Sequence, residues 1–307
     1  PGVRELIERD LALLATAAEL VHRLVVPLRF LSLPDEVSQF AQMMHEQTDL
    51  RWEAWTLTRF SRNFAHSAVH FPRPVLSARS CLVETLEAGI PMTEFEVATA
   101  NDPRWSRTRS QVASLGVSSL MRMLLWDNFV HADLHPGNIL VRLVDGNRVY
   151  SNIRELGSVD VRRARPHLVY LDTGLVTELR PRDHDNFLAL FRALIIDGDG
   201  RAAADLIVER SGPERAARVI DRQGFLERVD RIARPVLAAR FQPGRLALGP
   251  VLLEVMSAVR EHRVHLDPAF TNLVMTVVCL EGVWRQLAPE LDMHPVLLKA
   301  ALQFMLR

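Results

Sequence analysis

Asp133 and Asn138 stand five positions apart in the segment His131-Ala132-Asp133-Leu134-His135-Pro136-Gly137-Asn138, and Asp172 opens a second segment, Asp172-Thr173-Gly174. A carboxylate beside a nucleophile can take or orient its proton. Carboxylate and amide oxygens, with water, are what a hard cation such as Mg²⁺ accepts. The first segment reads as a loop between a helix and a short apolar strand, Ile139 to Leu143, and the second ends another apolar strand, His167 to Leu171. That order and spacing is the one a kinase catalytic loop has relative to its metal-binding aspartate. Asp133 is therefore expected as the catalytic carboxylate and Asn138 and Asp172 as magnesium ligands, with Gly174 letting the backbone turn away from the metal.

Other readings of the same residues are weaker. His131 and His135 have the spacing of zinc ligands on a helix, but Pro136-Gly137 follows directly and disfavours a helix there. Asp-Thr-Gly also occurs in retroviral-type aspartic proteases, which need a β-rich chain. Asp197-Gly198-Asp199-Gly200 starts like a calcium loop, but Ala202 and Val208 occupy the positions that need glycine and glutamate, so a turn between helices is expected. Neither Gly-x-Gly-x-x-Gly nor a Walker sequence is present.

The elements that must position these residues follow from apolar periodicity. A helix is predicted over residues 3 to 31, with a kink or early end at Pro27. A second is predicted from Pro34 through Phe60, and a third over 106 to 126. Ser80 to Thr85 reads as a buried strand, residues 144 to 166 as an exposed arginine-rich hairpin or loop, and everything from 182 onward as helices.

Composition narrows the function. The 307 residues carry 37 basic and 37 acidic side chains, so no overall basic field argues for nucleic acid. The arginines between 201 and 240 read as a solvated face, with an acidic-lipid or partner surface as the sharper alternative. Cys81 and Cys279, the two cysteines, sit in apolar runs and are expected as buried thiols. Lys299 is the single lysine, so no phosphate-binding lysine lies in the first half of the sequence. The apolar runs are far shorter than the ~20 residues a membrane span needs.

His-Ala-Asp-x-His-Pro-Gly-Asn at 131–138 resembles the signature of the UbiB/aarF-domain-containing kinases, and Asp49-Leu50-Arg51-Trp52-Glu53-Ala54 resembles that family's segment on the αC-type helix. The resemblance covers nearly the whole chain. It implies an α+β, atypical protein-kinase-like fold, with a partial N-lobe over 1–88 and a largely helical C-lobe over 89–307. It implies that ATP and Mg²⁺ are bound and that Glu53, His131, Gly174 and the hinge residues Glu84, Thr85, Leu86 and Glu87 border the nucleotide. Glu53 would pair with the β3 lysine; Pro1-Gly2-Val3-Arg4 resembles the segment just past that lysine, so the chain as it stands is expected to be nearly inactive. The resemblance further implies a mitochondrial protein tied to ubiquinone and lipid metabolism, with a lipid or membrane surface among its partners.

Three residues depart from the family pattern: Gln47 for the first glutamate of Glu-x-Asp, Thr173 for the phenylalanine of Asp-Phe-Gly, and Leu134 for a proline. Gln47-Thr48-Asp49-Leu50 and Asp133-Leu134-His135 look most like an animal branch of the family. Two alternatives stay open. One is a nucleotide-gated scaffold without turnover. The other is a small-molecule phosphotransferase like the aminoglycoside and choline kinases, whose loop differs little from this one.

Overall fold

Helical periodicity at the start of the chain produces α1, Val3–Leu24, which packs along α2, Leu33–Gln47. The computed structural model describes residues 2–25, 33–211, 216–217, 219–238, 248–266, 268–292 and 294–305, so the expected kink at Pro27 lies outside the described residues. The single helix expected from Pro34 to Phe60 is two, because α3, Leu50–Asn63, starts afresh after Thr48-Asp49. Asp49 has extended backbone, φ −120° and ψ 99°, and its carboxylate accepts the Arg51 amide at 3.1 Å. It thereby satisfies one of the amides a first helical turn leaves unpaired. Asp49 is a cap, and α3 turns Ala54, Leu57 and Phe60 into the core at helical spacing.

The strands follow as β1 (Val69–His70), β2 (Pro74–Ala78), β3 (Cys81–Glu84), β4 (Ile90–Pro91), β5 (Val130–His131), β6 (Ile139–Asp145), β7 (Arg148–Tyr150), β8 (Arg165–Tyr170) and β9 (Val176–Thr177). Helices α4 (Met92–Thr99) and α5 (Ser106–Arg122) lie between β4 and β5, α5 running on into a π turn, Met123–Asp127. The main sheet has the order β1-β8-β6-β4, with β7 paired to β6. Its centre is the antiparallel pair β6 and β8, in which Ile139 faces Tyr170 and Val141 faces Leu168. Alternation along β6 buries Ile139, Val141 and Leu143.

Two expectations fail at β3. The strand is not buried, and Cys81 is exposed. It forms only a two-stranded hairpin with β2, one side of which packs on α3. A two-stranded ribbon covers one face at most, so apolar composition does not guarantee burial there. Cys279 is exposed as well, and both thiols are free.

From residue 181 the chain is helical: α6 (Pro181–Phe191), α7 (Gly200–Arg210), α8 (Arg222–Ala238), α9 (Leu248–Glu261), α10 (Pro268–Leu287) and α11 (His294–Met305). The turn expected before α7 is found, with Gly198 at φ 74° and Asp199 capping the Ala202 amide at 2.8 Å. One core joins α3, α5 and the sheet to α10 and α11 through residues such as Phe60, Phe129, Tyr170, Trp284 and Leu297. A second, built around Val208, Phe225 and Val259, holds α7, α8 and α9 together. No helix among the described residues is long and apolar enough to cross a membrane.

Candidate nucleotide site

The loop bearing Asp133 leaves β5, and the loop bearing Asp172 links β8 to β9. Antiparallel pairing of β5 with β9, Val130 opposite Thr177 and His131 opposite Val176, brings the two loops side by side. Backbone bonds fasten them: the Ala132 amide donates to the Leu175 carbonyl at 3.0 Å and the Leu171 amide to the Asn138 carbonyl at 2.9 Å. The Asn138 amide nitrogen donates to the Asp133 carbonyl at 3.2 Å. That bond engages the nitrogen and leaves the amide oxygen as the side chain's other donor atom for a ligand.

His131 is fully buried between the loops. Its Nε2 donates to the Leu171 carbonyl at 3.1 Å and its Nδ1 accepts the Asp133 amide at 3.3 Å. A carbonyl on one nitrogen and an amide on the other require the neutral imidazole with its proton on Nε2. Burial, first among the causes, holds its pKa below the usual value. His131 thus faces no cleft; it braces the Asp133 backbone against Leu171.

Asp172 has φ 49°, a left-handed conformation that costs a non-glycine residue strain. The turn that sequence reasoning assigns to Gly174 is therefore made at Asp172. Gly174 has ordinary backbone, and a Cβ built on it would lie 3.6 Å from Asp172 Oδ1 and 3.9 Å from Glu53 Oε2.

Those short distances place Glu53, on α3, beside the Asp172 loop. Three further contacts hold α3 there. Trp52 Nε1 donates to the Gly174 carbonyl at 3.2 Å, and Thr56 Oγ1 lies 2.9 Å from the Thr173 carbonyl oxygen and 2.8 Å from the Thr173 hydroxyl. Burial pushes the Glu53 carboxyl up to about 7, with Asp172 and then Glu84 adding like charge. Glu84 is raised too, by burial first and then by Asp172 and Glu87. Among the described residues Glu53 makes no ion pair, so three carboxylates meet at this cleft without a balancing base.

The remaining hinge residues lie apart from that group. Leu86 is 99% exposed and lines nothing. The Thr85 hydroxyl accepts the Arg73 amide at 2.9 Å and donates to Glu87 at 2.9 Å, while Glu87 pairs with Arg142 on β6. Asp172, Gly174, Glu53 and Glu84 are thus brought near one another, with Asp133 and Asn138 on the loop tied alongside; Glu87 reaches the group only through its charge on Glu84. Sequence reasoning missed Trp52 and Thr56. They stand four apart and share one face of α3, a spacing that does not announce which loop they meet. Among the described residues no three His, Cys, Asp or Glu side chains are placed to hold a metal ion, and His131 and His135 point to different surroundings, one buried and one exposed.

Residues 1–206 match the ABC1 atypical kinase-like domain, and residues 229–292 the UbiB helical domain. The chain belongs to the ABC1 atypical kinase family. It is 35% identical to a mitochondrial ABC1 family protein of Saccharomyces cerevisiae, covering 95% of this chain and 48% of that protein. It is 32% identical to a Dictyostelium discoideum protein, "Probable serine/threonine-protein kinase abkC", covering 100% and 50%. Identity to "Probable protein kinase UbiB" of Vibrio atlanticus is 27%, over 95% and 49%. The chain therefore spans about half the length of these curated relatives. Among solved structures, the Mycobacterium tuberculosis Rv3197–erythromycin complex superposes with a TM-score of 0.55 at 16% identity, over 96% of this chain and 68% of that one. The likeness places the ABC1 chain in a protein-kinase-like α+β fold, and a kinase-like domain implies nucleotide binding.

Proposed function

We propose that this chain is an atypical kinase or ATPase body of the UbiB type that binds ATP with Mg²⁺. The observation that carries the reading is the cross-tied pair of loops, which sets the segments bearing Asp133, Asn138 and Asp172 side by side. Asn138 and Asp172 would hold the magnesium, which would neutralise phosphate charge when bound. Their oxygens suit a hard cation, and one would offset the like charge of Asp172 and Glu84 that adds to burial in raising Glu53. Asp133 would face the phosphoryl acceptor and take its proton.

Glu53 and Glu84 would border the nucleotide from the other wall, with residues 1–88 forming the N-terminal side of the cleft and 89–307 the C-terminal side. Within the family the Gln47-Thr48-Asp49-Leu50 and Asp133-Leu134-His135 combinations favour aarF-domain-containing kinase 2 of animals. A mitochondrial role in ubiquinone or lipid metabolism goes with that placement, and the mitochondrial yeast relative supports it.

The experiment is the melting temperature with and without Mg²⁺-ATP, beside Asp172→Asn. Ligand at about 100 times its dissociation constant adds about 2.7 kcal/mol, roughly 4 °C for a chain of about 300 residues. A magnesium-dependent rise that Asp172→Asn abolishes is expected; no rise in the wild type would overturn the reading.

A second reading, a nucleotide-gated scaffold without turnover, is favoured by Thr173 in place of phenylalanine and by Gln47 in place of the first glutamate of Glu-x-Asp. Nucleotide would then bias α3 against the Asp172 loop rather than be consumed. A Mg²⁺-ATP melting shift with no phosphate released would select it.

A further inference from the structure

Beside Asp133 the chain forms a half-open cavity of about 260 Å³. The UbiB helical region forms one wall: α10 packs against β9 and α2, and sets Met275, Thr276 and Cys279 opposite the loop. Met43 enters from α2, and Leu134, buried where the family more often has proline, supplies the near wall. The wall is thus apolar and adaptable, with thioethers on two sides. Asp133 is the only carboxylate among the residues that line it, His135 stands beside it with Nε2 3.9 Å from Asp133 Oδ2, and no lysine or arginine lines it.

We propose that this cavity is the acceptor pocket and that it takes an uncharged, apolar molecule bearing one hydroxyl group. The proposal rests on the kinase reading above. The pocket meets the catalytic loop at Asp133, where the hydroxyl would give up its proton to the carboxylate as its oxygen bonds the γ-phosphorus and the β–γ bridging oxygen leaves on the diphosphate. A polycationic acceptor such as an aminoglycoside needs several carboxylates to replace its hydration, and the pocket has one. An anionic acceptor would meet the Asp133 carboxylate with His135 as the one lining nitrogen base and no lysine or arginine to receive it. An alcohol with an apolar body satisfies both ends.

Cys279 gives a direct readout, because it is exposed and lines the pocket. In Cys81→Ser protein it is the one thiol left, and its alkylation rate by N-ethylmaleimide reports occupancy without nucleotide. 1-Octanol near ten times its dissociation constant should slow labelling about tenfold by mass action. Choline and octanoate should not slow it, and Met275→Arg, which places a charged chain at the half-exposed mouth, should remove the protection. In the companion Cys279→Ser protein, labelling of Cys81 should be indifferent to the alcohol. Equal labelling with and without 1-octanol would overturn the proposal, as would equal protection by choline. If protection fails while the Mg²⁺-ATP melting shift persists, the pocket assignment falls and the kinase reading stands. If protection holds while that shift is absent, the cavity is an alcohol site but not an acceptor pocket, and the proposal falls with the kinase reading.

Discussion

The hydroxyls of Thr56 and Thr173 stand 2.8 Å apart, both side chains fully buried, and tie the helix that carries Glu53 to the loop that carries Asp172. Thr56 Oγ1 is also 2.8 Å from the Glu53 carbonyl and 2.9 Å from the Thr173 carbonyl. One hydroxyl proton cannot serve three acceptors, so Thr56 donates to a carbonyl and accepts from Thr173. The position where the family carries an apolar phenylalanine is here a polar bond to α3. Such a contact depends on distance and direction far more than a packed ring does.

Removing that bond should cost stability. Thr56→Val keeps the shape and leaves the Thr173 hydroxyl buried without its acceptor, a loss of about 1–2 kcal/mol. Thr173→Val should cost a similar amount, and the double variant clearly less than the sum, because one missing bond is counted in both single changes. Thermal or urea unfolding of the four proteins measures the coupling. Strict additivity would mean that the hydroxyls do not interact.

Glu53 predicts a pH dependence of the unliganded protein. Its carboxyl is pushed up to about 7 from an ordinary 4.5, so the folded chain binds a proton the unfolded chain has lost. That stabilisation is complete below the unfolded pKa and disappears as the pH rises through the folded one. The melting temperature should therefore decline between about pH 5 and pH 8, and decline less in Glu53→Gln, where nothing titrates. Parallel curves for the two proteins would refute the raised value.

The ABC1 core is joined to the helical half at Gly116 and Trp284. A Cβ added to Gly116 would run into the Trp284 ring, which is fully buried. Gly116→Ala should lose about 1–3 kcal/mol to overpacking, although alanine is the better helix former by about 1 kcal/mol. Trp284→Leu beside it should recover part of the loss. If Gly116→Ala melts at or above the wild-type temperature, α10 does not press on α5 as closely as described.

Much of this arrangement is legible in the sequence, because Asp133, Asn138 and Asp172 sit in short segments whose residue types are set by chemistry. The strands around them are apolar runs that name themselves. The break between α2 and α3 is less visible, since Asp49 reads equally well inside a helix or as its cap. The burial of β3 was misjudged for a different reason: Cys81-Leu82-Val83 is apolar, but burial depends on how many strands and helices gather round it. Thr56 and the α10 side of the cavity are long-range contacts, and no local pattern in residues 50–63 or 268–287 announces which loop they will meet.

His70 and His167 give the last prediction. They lie on the parallel neighbours β1 and β8, with ring planes 3° apart, and Nε2 of the first is 2.8 Å from Nδ1 of the second. One nitrogen must donate and the other accept, so a second proton would set two donors face to face. Both imidazoles are held below the usual 6.5, by burial first; Arg142 adds to the effect on His70, and His70 and then Arg142 to that on His167. A depressed folded pKa contributes stability above the unfolded value, and that stability is lost as the pH falls through the folded one. Acidification from about pH 7 to pH 5 should thus lower the melting temperature, opposing the gain from Glu53. His167→Gln, which keeps a polar partner for His70 but cannot take a proton, should flatten this acid limb and leave the Glu53 limb in place. An unchanged acid limb in His167→Gln would assign the loss to other groups and show that the pair titrates as ordinary surface histidines do.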